Sequence, residues 1–161
     1  MAKPDNNKND KPSEPIVCRN RRARHQYEIL DSIEAGVVLV GSEVKSLRSG
    51  HASIEEAYAR VDDGEVWLID CDIPEYPQAG RFNHKPKRPR KLLLRRREVH
   101  KFAGEAKQRG CTLVPLKLYF RRGFARVELA IARGKKLHDK REAMKKAEAT
   151  KEMKRAVGRR R

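Results

Sequence analysis

Two stretches in the second half of the chain alternate apolar and polar positions with a period of two. Val114, Leu116, Leu118 and Phe120 alternate with Pro115, Lys117, Tyr119 and Arg121. Val127, Leu129 and Ile131 alternate with Arg126, Glu128 and Ala130, and Arg122-Gly123 supplies a turn between them. This is the pattern of antiparallel strands with one face buried and one wet. Further upstream, 57–61 and 65–69 are β-rich runs joined by Asp62-Asp63-Gly64, whose Asp-Gly pair suits the positive φ angles of a tight hairpin. The β-prone runs 27–33 and 36–41 flank a turn-like Glu34-Ala35-Gly36 and read as another strand pair.

The period lengthens in two places. Val99, Phe102, Ala103 and Ala106 form a helical stripe within 95–108, closed by Gly110. A shorter helix is predicted over 43–49, with Ser42 as its cap, Val44 and Leu47 on one face and Gly50 just past its end. Pro74 ends a strand, and 75–90 reads as a long loop punctuated by Pro77, Pro86 and Pro89. About six short antiparallel strands with two or three accessory helices predict a mainly β fold. The form expected is a small closed antiparallel barrel of oligonucleotide-binding type.

Charge sharpens this picture. The chain has 39 Lys and Arg against 22 Asp and Glu, a formal net charge of +17. From Lys135 onward there are twelve Lys/Arg against four Asp/Glu and no aromatic residue, so the last segment carries about half of the excess. Three regions follow: a polar, proline-punctuated segment 1–18 expected to be disordered, a barrel over 19–134, and a basic tail over 135–161. Within the tail, Asp139 and Glu142 form a D-x-x-E variant of the capping box, followed by helix-tolerant Ala and Met. A lone helix of that length is marginal in water. The tail is therefore expected to be disordered alone and to become helical on an anionic surface. No window holds the ~18 apolar residues of a membrane span, and the start lacks the apolar core of a secretory signal. Cys18, Cys71 and Cys111 are odd in number and widely spaced, as free thiols of a reducing compartment are. Together these point to a cytoplasmic nucleic-acid binder.

Motifs for catalysis are missing. There is no phosphate-cradling glycine loop and no Gly-x-Ser-x-Gly, and His25, His51, His84, His100 and His138 are scattered without metal-ligand spacing. Asp70, Asp72 and Glu75 can be imagined as a metal-binding nuclease cluster, but carboxylates near a strand end are more often solvated or charge-paired. No catalytic residue, metal ligand or cofactor is expected. The positive constellations are basic: Arg21, Arg24 and His25 beside Tyr27; Lys45 and Arg48 on one face of the short helix; and the run 81–94 that fills the long loop, with Arg90 and Lys91. Guanidinium and ammonium groups bind phosphate, while Phe82, Tyr27 and the His rings can stack on unpaired bases. Glu34 stands apart in this basic surface. Either it is a plain turn residue, the reading the residues alone favour, or it orients an Arg or accepts from a base amino group.

Six blocks resemble a known family. They are Asn20-Arg-Arg-Ala-Arg-His, Glu34-Ala-Gly, Gly41-Ser-Glu-Val-Lys-Ser-Leu-Arg, Arg90-Lys-Leu-Leu-Leu, Thr112-Leu-Val-Pro-Leu-Lys-Leu-Tyr-Phe and Gly134-Lys-Lys-Leu-His-Asp-Lys-Arg. In order and spacing they resemble the bacterial SsrA-binding proteins, the small protein B family. The resemblance implies a non-enzymatic protein that binds transfer-messenger RNA (tmRNA) and serves in trans-translation, the rescue of stalled ribosomes. It implies a barrel that holds the tRNA-like part of that RNA in place of a missing anticodon stem, and a tail that enters the vacant messenger channel as a helix. Implied partners are tmRNA, the ribosome with its small-subunit ribosomal RNA, and elongation factor Tu indirectly through charged tmRNA. It further implies RNA-binding roles for Glu34 and Leu93. Gly134, Lys135, Lys136, His138, Asp139, Lys140 and Arg141 match the tail motif linked to the ribosome. Lys85, where the family often has Asp, and Arg95, where a less charged residue is common, make the loop more basic. The alternative is a ribosomal or initiation-factor-like barrel that binds structured RNA generally.

Overall fold

A computed structural model describes residues 15–108 and 110–158. Seven antiparallel strands form one sheet: β1 (Ile16–Arg19), β2 (Tyr27–Val37), β3 (Tyr58–Asp62), β4 (Glu65–Ile69), β5 (Arg90–Leu93), β6 (Cys111–Arg121) and β7 (Phe124–Gly134). Their order is β1-β6-β3-β4-β5-β2-β7, and β6 also pairs with β7, which closes six of them into a ring. β1 adds to the free side of β6 at Lys117–Tyr119. The helices are α1 (Ala23–Gln26), α2 (Gly41–Arg48), α3 (Arg96–Ala106) and α4 (Leu137–Gly158), with a 3-10 segment at Pro77–Phe82.

The expected barrel is present, with local corrections. Glu34-Ala-Gly is no turn: β2 runs unbroken through it, pairing with β7 along most of its length and with β5 at Gly36 and Val37. Of the expected second run, 36–41, only Gly36 and Val37 are strand, the end of β2, and Gly41 already opens α2. Arg90 to Leu93 was read as loop and is a strand joining β4 to β2, and the loop before it holds the 3-10 segment. The polar segment expected over 1–18 gives way to strand at Ile16, where Ile16, Cys18 and Arg19 find partners on β6. Residues 1–14 lie outside the described ones.

The hairpin of β3 and β4 turns at Asp63 and Gly64, with φ of 48° and 74°, as the Asp-Gly pair predicted. Helix α2 is entered from Val40, whose N–H donates to Glu43 Oε2 at 2.9 Å. Ser42, the expected cap, instead meets His84 Nδ1 at 2.9 Å.

The barrel interior is filled by Leu47, Ile54, Val66, Leu68, Phe102, Leu113, Leu118, Val127, Leu129 and Ile131 among others. Val114 and Leu116 do not join it. An extra residue between Pro115 and Lys117 breaks the register with β7 and turns the strand over. They pack on the opposite face with Ala130, Ala132 and Ala23 of α1, under Tyr27 and Ile29. The single alternation expected for β6 is thus two half-patterns joined at a bulge. A matching irregularity between Ile29 and Asp31 does the same for β2.

Candidate nucleic-acid interface

Strands β2, β6 and β7 bring two arginines and a tyrosine hydroxyl around one carboxylate. The Tyr119 hydroxyl donates to Glu34 Oε2. Arg121 Nη1 donates to both oxygens at 3.1 Å, and Arg126 Nε lies 4.0 Å away. Partial burial works to raise the Glu34 carboxyl. The hydrogen bonds from Tyr119 and Arg121, with the charges of Arg121 and Arg126, overcome it and hold the group below the usual carboxylate range. Arg126 Nε is itself buried and has no hydrogen bond among the described residues. In register, Glu34 faces Glu128, and Lys117 neutralises the latter at 3.0 Å while resting over the Tyr119 ring. Of the alternatives for Glu34, the arginine-orienting one matches this geometry. The turn reading falls with the continuous strand.

Two residues on, Gly36 lies opposite Leu93. A Cβ at Gly36 would sit 2.9 Å from Arg126 Nη1 and 3.3 Å from Leu93 Cβ, so the bare backbone is the slot in which that guanidinium lies. Leu93 is 54% exposed, an apolar side chain beside the cluster.

Helix α2 presents Lys45 and Arg48 to solvent while Glu43, Ser46 and Leu47 are buried. Lys45 Nζ is 5.6 Å from the Tyr76 ring centre, and the Arg48 guanidinium is 5.2 Å from that of Phe120. Arg21, Arg24 and His25 are exposed on or beside α1, which Asn20 caps by accepting from Ala23 N–H at 3.0 Å. Arg19, Arg21, Arg24 and Lys117 line a cleft of about 290 Å³ with Glu128. Tyr27 is half-buried against the smaller apolar cluster, so its ring is less open than expected.

Arg90 requires correction as an RNA contact, because its exposure is 0%. Its Nε donates to Glu43 Oε1 at 2.9 Å, Nη1 to the carbonyls of Cys71 and Arg88 at 2.5 and 3.1 Å, and Nη2 to that of Pro86 at 2.9 Å. Arg88 grips the same carboxylate at 2.7 and 2.6 Å. Burial would raise Glu43, but these arginines and the Val40 N–H hold it below the usual range. Arg90 therefore ties α2, the loop and the segment that follows β4 together rather than meeting phosphate. Lys91 is half-exposed and paired with Glu65.

The tail motif begins where β7 ends. Gly134 faces Tyr27, Lys135 N–H donates to the Gln26 carbonyl at 3.0 Å, and Lys135 Nζ to that of Arg24 at 2.9 Å. From Leu137, α4 runs 22 residues with none buried. Asp139 lies in its first turn rather than at the cap, because the helix starts three residues earlier than the D-x-x-E spacing implied. Lys136, His138 and Arg141 are exposed and Lys140 half-exposed. His138 Nδ1 is 3.9 Å from Glu142.

The residues that sequence reasoning passed over are Tyr119, Arg121 and Arg126. The alternation put all three among the wet positions, but nothing in the pattern showed that they meet around Glu34. Among the described residues, no group of His, Cys, Asp or Glu could hold a metal ion, and no helix is long and apolar enough to cross a membrane.

Fold and surface together define a class: a small oligonucleotide-binding-type barrel with a cation-rich surface and a cationic helical arm. The family model described as "SmpB protein" matches residues 17–159. Proteins named "SsrA-binding protein" are similar along nearly the whole chain. That of Bartonella henselae is 58% identical over 88% of this chain and 90% of its own, and that of a Bradyrhizobium species 58% over 84% and 87%. The Acidothermus cellulolyticus protein is 53% identical over 90% and 91%. A chain in a structure described as "tmRNA-SmpB: a journey to the center of the bacterial ribosome" superposes with a TM-score of 0.67 at 48% identity, covering 81% of this chain and 94% of that one. The chain belongs to the SmpB protein family.

Proposed function

We propose that this chain is a non-enzymatic tmRNA-binding adaptor that works in the cytoplasm in trans-translation. The barrel grips the tRNA-like part of the RNA and fills the place of the missing anticodon stem. The surface used is that around Glu34, Leu93, Arg121 and Arg126, with Lys45 and Arg48 of α2 and with Arg21, Arg24 and His25 beside α1. The residues Gly134 to Arg141 and the helix after them serve the ribosome, lying in the messenger path against small-subunit ribosomal RNA. Elongation factor Tu is met only through the charged RNA.

One observation carries this reading. The cations divide between a folded barrel and a 22-residue arm with no buried residue, joined at Lys135. Such an arm gains nothing from the barrel's core and is marginal as a helix in water. In this reading it melts in the free protein and becomes helical on the ribosome, ordering as it binds. The family and the relatives named "SsrA-binding protein" support the choice of RNA.

The test is a truncation after Gly134, compared with the full chain. Affinity for tmRNA should exceed that for bulk tRNA in both proteins and change little on truncation, while tagging of chains on stalled ribosomes is lost. Equal affinity for the two RNAs would favour the general structured-RNA binder. A large loss of tmRNA affinity on truncation would refute the division of labour.

A further inference from the structure

Phe82 is the most exposed large apolar side chain among the described residues, at 85%. A single exposed apolar residue is ordinary on a protein surface. The loop that carries this one is not ordinary, because it is clamped at its neck and turns sharply at a glycine.

The clamp is reciprocal. Asn83 Oδ1 accepts from Tyr76 N–H at 3.0 Å, and Asn83 Nδ2 donates to the Tyr76 carbonyl at 2.8 Å. Both ends of one amide side chain thereby close the loop across seven residues. The next residue, His84, is buried, with Nε2 2.8 Å from the Ile73 carbonyl and Nδ1 2.9 Å from Ser42 Oγ. A third tie runs from Ile73 N–H to the Pro86 carbonyl at 3.0 Å. Between the arms of the clamp, Gly80 adopts φ 57° and ψ −130°, a conformation that a residue with a side chain rarely takes. The sequence therefore builds a fixed hook from Pro77 to Phe82, and the hook holds a benzyl ring in water.

Charge says what that ring is for. Arg81 beside it is exposed, as are Lys85 and Lys87 in the same loop. Tyr76 at the neck lies under Lys45 of α2, so the hook continues the basic face of that helix. An aromatic ring presented from a clamped loop within a field of cations fits a polyanion with flat apolar groups, which is single-stranded or looped RNA. A Phe ring has no donor or acceptor, so it grips a base by its face and is indifferent to which base it is.

We propose that Phe82 is a stacking platform for one unpaired nucleobase of the RNA held by the barrel, with Arg81 meeting the adjoining phosphate. This assignment rests on the tmRNA-binding reading and adds a contact to it. Because the neck of the loop is already tied, the backbone that carries the ring needs little ordering when RNA arrives.

The experiment uses the full-length protein, a tmRNA transcript and bulk tRNA, with Phe82→Ala, Phe82→Leu, Phe82→Trp and Arg81→Ala. Base stacking on an aromatic is worth roughly 1–3 kcal/mol on alanine substitution, so Phe82→Ala should weaken tmRNA binding at least about fivefold. Phe82→Leu should weaken it similarly, since it keeps apolar bulk without a π face. Phe82→Trp should restore wild-type affinity. The slope of log affinity against log salt should be unchanged by all three Phe82 variants and reduced by Arg81→Ala. Melting temperatures should match wild type throughout, because neither side chain is buried. Wild-type affinity in Phe82→Ala overturns the platform while leaving the tmRNA reading intact. Rescue by Leu as well as by Trp also overturns it, since that marks an apolar pocket on a protein partner. If the wild-type protein shows no preference for tmRNA over tRNA, the underlying reading fails first and this assignment falls with it.

Discussion

Replacing Arg90 by Met separates a buried strut from an RNA contact. The side chain is wholly enclosed and makes four hydrogen bonds, one to the Glu43 carboxylate and three to carbonyls of Cys71, Arg88 and Pro86. Met keeps the aliphatic stem and removes every donor. Breaking one side of a buried ion pair costs about 3–5 kcal/mol, because the partner charge stays behind. Glu43 still has Arg88, which lowers that figure, whereas three carbonyls left without donors raise it by part of the ~1–3 kcal/mol each would cost if dry. A loss of about 4 kcal/mol is expected, a large share of the ~5–15 kcal/mol that holds a domain together. Urea unfolding followed by Trp67 fluorescence reads it well, since Trp67 lies on β4 directly opposite Lys91, one residue from the lesion. With a denaturant slope of roughly 2 kcal/mol per molar, the midpoint should drop by about 2 M. Below the unfolding range, the salt dependence of tmRNA binding should stay that of wild type. A midpoint within about 0.5 M of wild type, together with a shallower salt slope, would show that Arg90 reaches phosphate and that the buried network is a poor description of it.

Three further outcomes follow from the same geometry. Glu34 and Glu43 both titrate below the ordinary value of 4.5, so their stabilisation is complete above that pH and lost as pH falls through their folded values. Urea midpoints should therefore be level from pH 7 to 5 and fall below about 4.5, less steeply in Glu43→Gln than in wild type; equal steepness would remove Glu43 from the acid response. Burial, with neighbouring Cys71, pushes the Cys18 thiol up to about 12, and burial pushes that of Cys71 up to about 11. A thiol-reactive dye at pH 8 should label both far more slowly in native than in urea-unfolded protein, and equal rates would contradict their protected positions. Gly36→Ala should push the Arg126 guanidinium out of its slot at a cost of about 1 kcal/mol, since a flexible side chain can yield. Its tmRNA affinity should drop severalfold, and unchanged affinity would separate Arg126 from RNA.

How much of this was readable from the residues depended on how local each determinant was. The hairpin at Asp63-Gly64 and the stripe of α3 are set within a few positions, and the period and turn chemistry expose them directly. Closure of the ring was legible only as a count of short strands. The β6 bulge was hidden because Val114, Leu116, Leu118 and Phe120 satisfy one alternation on paper, whereas the two halves serve different apolar clusters. Arg90 misled for a related reason. In a segment crowded with Lys and Arg, no pattern distinguishes the one arginine that turns inward to a glutamate 47 positions away. Glu34 was noticed because its charge was out of place, but its partners lie on strands 85 or more residues downstream. The family resemblance supplied the order of the motifs, and only the fold supplied who touches whom.

The two bonds of Lys135 also set the aim of the arm. At 1.5 Å per residue, α4 is about 33 Å long, so a swing of about 10° at its base carries the far end through an arc of about 6 Å. That is roughly the spacing between neighbouring phosphates along a strand. With Lys135 N–H and Nζ both tied to carbonyls of α1, the arm departs from a fixed pivot on the surface that is proposed to hold the RNA. How the RNA seats on the barrel would then set where the distal cations point. Binding at one end becomes a bearing at the other, and loosening that pivot would leave the charge in place while spoiling its direction.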